Sequence, residues 1–202
     1  MIIYGASGHG KVIMEILEIC GINDIEFWDD QPSQILWDKK ISRPLLINDN
    51  TNDRMIVAIG DNRVRKYIVE KVNKGFSFIN AIHPNASISP RAKIDFGTVV
   101  MAGAVINSDT RIEKHCIINS GAVVEHDCLI HNFVHISPNV AIGGNVIINE
   151  GAHIGIGASV IQGIEIGKWV TVGAGTVVIE DIPDYAIVVG CPGKIIKYND
   201  PI

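Results

Sequence analysis

The second half of the chain carries a six-residue repeat that runs for sixteen consecutive blocks. From Asn85 to Glu180 the blocks read NASISP RAKIDF GTVVMA GAVINS DTRIEK HCIINS GAVVEH DCLIHN FVHISP NVAIGG NVIINE GAHIGI GASVIQ GIEIGK WVTVGA GTVVIE. The fourth residue of every block is Ile or Val, and the second is Ala, Thr, Cys, Val or Ile. A helix needs a period near 3.6 and an ordinary strand a period of 2, so this period fits neither. It predicts a chain wound round a triangular prism, with one block on each face and three blocks in each coil.

This unbroken repeat resembles the left-handed parallel β-helix of the hexapeptide acyltransferase superfamily, over roughly residues 81–195. The stretch AIVVGCPGK, Ala186–Lys194, resembles the closing strand and the G-x-P-A-K turn of these enzymes, with Gly193 where Ala is usual. We therefore expect a β-helix domain over residues 81–202 that ends in a C-terminal closing strand. The resemblance also implies a homotrimer with active sites between neighbouring subunits.

Residues 1–80 alternate strand and helix patterns. Strands are predicted in MIIYG, DIEFWDD and RMIVAIG, and helices in GKVIMEILEICG, which Gly21 closes, and NRVRKYIVEKVNKG. This alternation predicts a small α/β domain with a parallel sheet of Rossmann type. Ligands of such sheets bind at the carboxyl ends of the strands, which here carry GASGHG, Asp29-Asp30 and IGDN.

The stretch YGASGHGKV at the first strand end allows three interpretations. The spacing of Gly5, Gly10 and Lys11 resembles a P-loop, but Val12 stands where the Ser or Thr that holds Mg²⁺ is needed. The order G-x-x-G-x-G also differs from the dinucleotide fingerprint G-x-G-x-x-G. The remaining prediction is a glycine turn that opens a helix whose N–H groups receive a phosphate or ribose. A turn with only a structural role stays an alternative.

Composition excludes several classes of protein. The net charge is −5 without a basic cluster, so nucleic-acid binding is not expected. No apolar run approaches the ~20 residues of a membrane span, and the N-terminus lacks the pattern of a signal peptide. The four cysteines form no C-x-x-C pair, which favours reduced thiols and a cytoplasmic location. Cys116 and Cys128 occupy small inward positions of the repeat and are predicted to be core residues.

His126 is the leading candidate for a catalytic residue. It stands between Glu125 and Asp127, and a neighbouring carboxylate can fix the tautomer of an imidazole and raise its basicity. Which of the two carboxylates does so is left open by the sequence. Gly144 follows one full coil later, so the repeat stacks it beside His126. A glycine there gives a ligand access to a backbone N–H, and the pair therefore suggests a base next to an oxyanion donor.

The block NSGAVVEHDCLIHNFVHIS resembles one branch of the superfamily, the bacterial N-acetyltransferases of UDP-4-amino-sugars together with the sialic acid O-acetyltransferases. The resemblance implies that His126 is the general base and that Asp127 orients it. It also implies that Asn119 lies near the acceptor, that His135 contacts the acetyl-CoA end, and that the main chain at Gly144 faces the thioester. Further coenzyme contacts are implied at Gly155, Gly173, Ala174 and Lys194.

His126 and His135 are nine residues apart, which is half a coil, so one subunit presents them at different places on the prism. They could share one site only where two subunits meet. This arithmetic agrees with the trimer that the resemblance implies.

A metal site is an alternative interpretation of the histidines, because γ-class carbonic anhydrases bind zinc on this fold. His126, His131 and His135 have suggestive spacings, but no third histidine occurs two coils before His126 or His131. Catalytic zinc usually needs three protein ligands, so no metal is expected.

The β-helix contains no inserted loop to recognise an acceptor, so that task is expected of the N-terminal domain. In the resembling N-acetyltransferases this domain holds the nucleotide of the sugar. The residues that this implies are Gly8, His9, Asp29, Asp30, Gly60, Asn62 and Arg63.

The sequence therefore predicts an acetyl-CoA-dependent N-acetyltransferase that acts on the 4-amino group of a nucleotide-linked 4-amino-4,6-dideoxy-sugar, with UDP as the expected nucleotide. O-acetylation of sialic acid or another sugar hydroxyl is the nearest alternative. A non-catalytic nucleotide-sugar-binding protein and a γ-carbonic-anhydrase-like metalloenzyme are alternatives of other classes.

Overall fold

The computed structural model describes residues 1–31, 39, 41–44, 53–72 and 75–200. The N-terminal part contains two helices, α1 (Gly8–Ile19) and α2 (Asn62–Val72). Its strands are β1 (Ile2–Tyr4), β2 (Glu26–Trp28), β3 (Ile41–Ser42), β4 (Arg54–Val57) and β5 (Ser77–Phe78). The sequence had not indicated β3 or β5, which are only two residues long. Neither helix within the described ranges is long and apolar enough to cross a bilayer.

The five N-terminal strands form one sheet in the order β3-β2-β1-β4-β5, and every pair is parallel. Alternate residues of β1 face opposite sides of this sheet. Ile3 packs in a cluster with α1, whereas Ile2 and Tyr4 pack in a cluster with α2. One helix therefore covers each face, and the predicted alternation of helices with a parallel sheet is confirmed.

Gly21 ends α1 as expected. Its φ of +81° belongs to the left-handed region that favours glycine, and the turn lets the N–H of Ile22 donate to the carbonyl of Leu17 at 2.9 Å.

The second part is a parallel β-helix built from two-residue strands on three faces. The first face contains β6 (Ala81–Ile82), β9 (Val99–Val100), β12 (Ile117–Ile118), β15 (His135–Ile136), β18 (His153–Ile154) and β21 (Thr171–Val172). The second face contains β7 (Ser87–Ile88), β10 (Val105–Ile106), β13 (Val123–Val124), β16 (Ala141–Ile142), β19 (Ser159–Val160) and β22 (Val177–Val178). The third face contains β8 (Lys93–Ile94), β11 (Arg111–Ile112), β14 (Leu129–Ile130), β17 (Ile147–Ile148) and β20 (Glu165–Ile166).

Two further strands close the β-helix. β23 (Ala186–Val189) pairs parallel with β21, and β24 (Lys194–Tyr198) returns antiparallel along β23. The predicted closing strand is therefore present.

From β6 to β22 each strand pairs with the strand one coil away in a register of eighteen residues, as in Val105 with Val123 and Ile136 with Ile154. The fourth residues of the blocks point inward and form one continuous core from Val100 to Val178, with Ile88 and Ile94 packed at its open end. The buried second residues share this core, and Cys116 and Cys128 are among them, as predicted. Burial raises the pKa of the Cys116 thiol to about 12, so this group is not a nucleophile near neutral pH.

Helix α2 is fastened to the corner of the β-helix between the third and first faces. Three corner carbonyls, one from each of three successive coils, accept hydrogen bonds from two side chains of α2. Arg65 donates to the carbonyls of His115 and Phe133 at 2.9 and 2.8 Å, and Asn62 donates to that of Gly151 at 3.0 Å. The orientation of α2 against the coils is thereby fixed by buried hydrogen bonds.

Candidate active site

His126 lies at the corner between the second and third faces, where it forms a pair with Asp127. The Nδ1 atom of His126 is 2.8 Å from Oδ2 of Asp127, and both side chains are 60% exposed. Asp127 adopts a φ of +59°, a conformation that Asp and Asn tolerate better than most residues. The hydrogen bond with Asp127 is the main cause that raises the pKa of His126. Because Nδ1 is engaged, Nε2 is the atom that can accept a proton.

Glu125 is held away from this pair. Its Oε2 atom accepts a hydrogen bond from the side chain of Asn107, one coil earlier, at 2.9 Å. Asp127 is therefore the hydrogen-bond partner of the imidazole, a choice that the sequence left open.

Gly144 stacks on His126 as the repeat predicted. A Cβ atom at this position would lie 2.7 Å from Cε1 and 2.8 Å from Nε2 of the imidazole. The space that the missing side chain leaves is therefore filled by the ring of His126 itself. Within the described ranges no acceptor lies in hydrogen-bond reach of the Gly144 N–H.

His135 belongs to a second cluster of polar groups, on the first face of the β-helix where the N-terminal part contacts it. Its Nδ1 atom is 3.2 Å from the carbonyl of Gly60, and its Nε2 atom is 3.1 Å from the amide nitrogen of Asn119. Burial is the main cause that lowers the pKa of His135 to about 3, so its ring is neutral near neutral pH. Asn119, His135 and Gly60 are thus brought together within one chain, whereas His126 is at another corner of the same chain.

His9 is the second residue of α1 and faces inward. Its Nε2 atom is buried and has no hydrogen-bond partner among the described residues. Burial, followed by the positive charge of Arg65, lowers the pKa of His9 to about 4. His9 is therefore a neutral imidazole near neutral pH.

Two glycines of the GASGHG turn have a structural function. A Cβ at Gly10 would meet the carbonyl oxygen of Gly5, and Gly5 itself has a φ of +116°. Gly8 differs, because a Cβ there would meet nothing within 4 Å, and the same holds for Gly60 at the end of the neighbouring strand. In the turn, packing therefore requires glycine at Gly5 and Gly10 but not at Gly8.

The two aspartates after β2 are engaged by neighbours. Asp29 accepts hydrogen bonds from the N–H groups of Ala6 and Gln31, both at 2.9 Å, so it ties the glycine turn to the next strand. Asp30 lies 3.3 Å from the ammonium group of Lys71. Both carboxylates are at the carboxyl end of the sheet, where the sequence placed them.

The residues after β4 divide into buried and exposed members. Asn62, proposed from the sequence as a nucleotide contact, is buried, and its amide donates to the carbonyls of Gly151 and Ala152. Arg63 is exposed and donates to the carbonyl of Asp200 at 2.6 Å. Arg65 was not singled out from the sequence, although it occupies the apolar stripe of α2.

The residues expected along the coenzyme are at the far end of the β-helix. Gly155 and Gly173 are one coil apart at the corner between the first and second faces. A Cβ at Gly155 would lie 2.6 to 2.8 Å from the backbone at residues 172–174, so packing of the coils also requires this glycine. Ala174 is exposed beside Gly173, and Lys194 is exposed on β24.

The three histidines with spacings that suggested a zinc site, His126, His131 and His135, do not lie together. His131 lies 3.1 Å from Glu113 at the corner between the third and first faces, whereas His126 and His135 have the separate partners described above. Across the part of the chain that the structure describes, no three His, Cys, Asp or Glu side chains are grouped to hold a metal ion.

The chain is similar in sequence and in structure to several known proteins. Residues 1–72 match the model of the PglD N-terminal domain family. The structure of PerB from Caulobacter crescentus in complex with CoA and GDP-perosamine is 40% identical, covers 97% of this chain and 96% of its own, and superposes with a TM-score of 0.89. The acetyltransferase domain of PglB from Neisseria gonorrhoeae in complex with acetyl coenzyme A is 39% identical, with coverages of 96% and 98% and a TM-score of 0.90.

The chain belongs to the PglD-like family of hexapeptide-repeat acetyltransferases. A curated relative, UDP-N-acetylbacillosamine N-acetyltransferase of Bacillus subtilis, is 42% identical over 115 residues, a match that spans 50% of this chain and 50% of that relative. The relatives named here are thus N-acetyltransferases of nucleotide-linked sugars or acetyltransferase domains, and their solved structures contain CoA or acetyl-CoA.

Proposed function

We propose that this PglD-like protein transfers the acetyl group of acetyl-CoA to the 4-amino group of a nucleotide-linked 4-amino-4,6-dideoxy-sugar, with UDP as the nucleotide. The observation that carries the proposal is the His126–Asp127 pair, in which a carboxylate holds Nδ1 and leaves Nε2 free on an exposed corner of the β-helix. The name of the Bacillus subtilis relative supports UDP, whereas PerB is solved with GDP-perosamine.

His126 acts as the general base in this proposal. Its Nε2 atom takes the proton of the sugar amine as the nitrogen forms a bond with the thioester carbon. The N–H of Gly144 donates to the oxyanion that develops on the carbonyl oxygen. The carbon–sulfur bond then breaks, the coenzyme leaves as a thiolate, and the proton held by His126 is returned through solvent to the sulfur. No acyl-enzyme forms, because the amine attacks the thioester directly.

The N-terminal part binds the nucleotide in this account. The first N–H groups of α1 point toward the carboxyl end of β1, and such groups bind phosphate oxygens. Gly8 and Gly60 leave open space at this end of the sheet, where Asp29 and Asp30 also lie. His9 contributes a buried nitrogen that has no partner of its own among the described residues.

The catalytic unit is proposed to be a homotrimer with each active site between two subunits. His135 and Asn119 are beneath Gly60 of their own chain, whereas His126 is exposed at another corner. A neighbouring copy that presents His126 to this cluster joins the base to the acceptor site. The outward residues within the strands of the second face are uncharged, which favours close packing of two copies; they are Ser87, Val105, Val123, Ala141, Ser159 and Val177.

Thiol release tests the proposed function. Purified protein is incubated with acetyl-CoA and, in separate reactions, with UDP-, dTDP- and GDP-linked 4-amino-4,6-dideoxy-sugars and with sialic acid. We expect release of free CoA thiol with a nucleotide-linked amino sugar, fastest with UDP. Release with sialic acid alone would replace N-acetylation by O-acetylation, and no release with any acceptor would favour a binding protein.

Replacing Asp127 by Asn should shift the pH profile of kcat/KM. The base works when it is unprotonated, so the rate falls as the pH drops below the pKa of His126. Asp127 raises this pKa, and its removal therefore moves the acidic limb of the profile to lower pH. The same variant should lose part of kcat, because the ring is no longer oriented. Glu125→Gln is the matched control and should leave the limb in place; a shift in the control but not in Asp127→Asn would contradict the assignment.

Alanine at two neighbouring glycines should separate binding from folding. Gly8→Ala places a methyl group at the start of α1 where it touches no other residue, so we expect an unchanged Tm. The methyl group occupies space proposed for the nucleotide, so we expect the affinity for UDP to weaken by about tenfold. Gly10→Ala forces its Cβ onto the carbonyl of Gly5, so we expect a lower Tm. Calorimetric titration with UDP and thermal unfolding measure the two effects. Unchanged UDP affinity in Gly8→Ala would leave the turn with a structural role only.

A further inference from the structure

A cavity of about 480 Å³ lies beside His135, between the start of α2 and the first face of the β-helix. One wall is formed by residues 60–63. The opposite wall consists of side chains from successive coils and from the C-terminal segment, namely His135, His153, Trp169, Thr171 and Asn199. This volume is within the range of small-molecule sites. The four side chains beyond His135 have no assigned role in the reaction.

The floor of this cavity is a pair of stacked imidazoles. The ring centroids of His135 and His153 are 4.8 Å apart, and the ring planes differ by 7°. Burial is the main cause that lowers the pKa of each, so both rings are uncharged near neutral pH. The Nε2 atom of His153 lies 2.9 Å from the hydroxyl of Ser137. Both nitrogens of His135 and Nε2 of His153 are thus engaged, so the floor offers a ligand the Nδ1 atom of the neutral His153 ring.

The C-terminal segment, residues 199–200, follows β24 and contributes Asn199 to the side of the cavity. Side-chain hydrogen bonds hold it at both residues. The amide nitrogen of Asn199 donates to the carbonyl of Trp169 at 3.0 Å and to the hydroxyl of Thr171 at 3.3 Å. Arg63 of α2 holds the carbonyl of Asp200 at 2.6 Å. Because both hydrogens of the Asn199 amide are used, its carbonyl oxygen is left to accept a hydrogen bond from a ligand.

The charged groups around the cavity are already engaged. Lys66 forms an ion pair with Glu150 at 2.6 Å, and Arg63 binds the C-terminal segment and lies 5.8 Å from the Trp169 ring centroid. Asp61 accepts a hydrogen bond from the N–H of Val64 at the start of α2. A phosphate group is best bound by cations that are available to it, and the cations here are engaged. The chemistry of the cavity instead matches an uncharged ligand with several hydroxyl or amide groups.

The cavity lies between the proposed nucleotide site of the N-terminal part and the cluster that contains Asn119. It shares Gly60 with the carboxyl end of β4 and His135 with the Asn119 cluster. On the basis of the proposed function, we propose that this cavity holds the sugar ring of the acceptor, and that His153 and Asn199 select the sugar by hydrogen bonding to its non-reacting hydroxyl and acylamino groups.

Calorimetric titration of the full chain tests this inference with two ligand pairs, UDP with a UDP-linked 4-amino-4,6-dideoxy-sugar, and GDP with GDP-perosamine. Loss of one hydrogen-bonding group from a buried polar site weakens binding by about tenfold. We therefore expect Asn199→Ala and His153→Phe each to bind the sugar nucleotide about tenfold more weakly than wild type, with unchanged affinity for the free nucleotide. His153→Phe keeps a ring to stack on His135. In Asn199→Ala the backbone N–H of residue 199, which donates to the carbonyl of Tyr185 at 2.7 Å, still holds the segment in place.

Asn149→Ala is the matched control. The Asn149 amide also donates to a backbone carbonyl, that of Ile166 at 3.0 Å, but Asn149 follows β17 of the third face and does not line the cavity. The inference is overturned if both cavity variants bind the sugar nucleotide as tightly as this control. It is also overturned if they lose affinity for the free nucleotide to the same extent, because the cavity then holds the nucleotide. Thiol release by wild type stands or fails independently of these titrations, so the proposed function is judged separately.

Discussion

We expect His126→Ala to lower kcat by about 10²- to 10⁴-fold, the range of rate usually lost with a general base. The side chain has the two properties that the proposed role requires. Asp127 holds Nδ1 and raises the pKa of the ring, and the remaining nitrogen faces outward from the corner of the β-helix. Removal of the ring takes away the proton acceptor but no part of the buried core. We expect the fall in thiol release to be accompanied by unchanged affinity for the nucleotide.

Size-exclusion chromatography with light scattering provides the structural control, because the variant should elute at the same mass as wild type. His131→Ala is the matched variant, since His131 also has a carboxylate partner but stands at a different corner. Its turnover should stay close to that of wild type. A His126→Ala protein that retains near-normal turnover would remove His126 from the mechanism.

Arg65→Met has the largest expected effect on stability. The guanidinium group is 1% exposed and donates to four backbone carbonyls and to the side chain of Asn62. Its replacement leaves these oxygens without their donor and releases α2 from two coils of the β-helix. Each buried polar group left without a hydrogen-bond partner costs about 1–3 kcal/mol, and several are left here, so we expect a loss of at least about 3 kcal/mol in the free energy of unfolding.

Urea denaturation at a fixed protein concentration measures this loss. Arg63→Met is the matched control on the same helix, because Arg63 is exposed, and we expect a change below about 1 kcal/mol. Arg65→Lys should lie between the two, since a lysine keeps the charge but not the planar fork of donors. Equal stability of Arg65→Met and Arg63→Met would show that the buried guanidinium does not fasten α2.

The β-helix was predictable because its constraint is local and repeats. Each face of each coil needs a branched residue at the fourth position of its block. The same requirement is therefore visible in all sixteen blocks of the sequence. The stacking of Gly144 on His126 follows from the same arithmetic, since the register of these coils is eighteen residues. The choice of Asp127 over Glu125 did not follow, because the partner of Glu125 is Asn107, one coil away.

The junction of the two parts was not predictable in the same way. Arg65 shares the apolar stripe of α2 with Ile68, Val69 and Val72, and this spacing marks it as an inward residue. The pattern shows that Arg65 is buried but not what it meets, because its partners lie 50 and 68 residues away. For the same reason the sequence did not indicate that the Asn62 amide is bonded to the β-helix.

The cavity beside His135 is likewise a product of distant segments. It requires the start of α2, three coils and the residues after β24 to come together, and no single stretch of sequence contains that information. His153 is one coil after His135, so the register alone placed the two histidines side by side. What the register could not supply was the opposite wall, which depends on how the N-terminal part docks.

Mass spectrometry of the reaction product tests the central claim most directly. The protein is incubated with acetyl-CoA and the UDP-linked 4-amino-4,6-dideoxy-sugar, and the sugar nucleotide is analysed before and after mild base treatment. We predict one acetyl group on the sugar for each CoA thiol released, held as an amide that resists base, and no such product with His126→Ala. Thiol release without an acetylated sugar, or an acetyl group that mild base removes, would contradict the account.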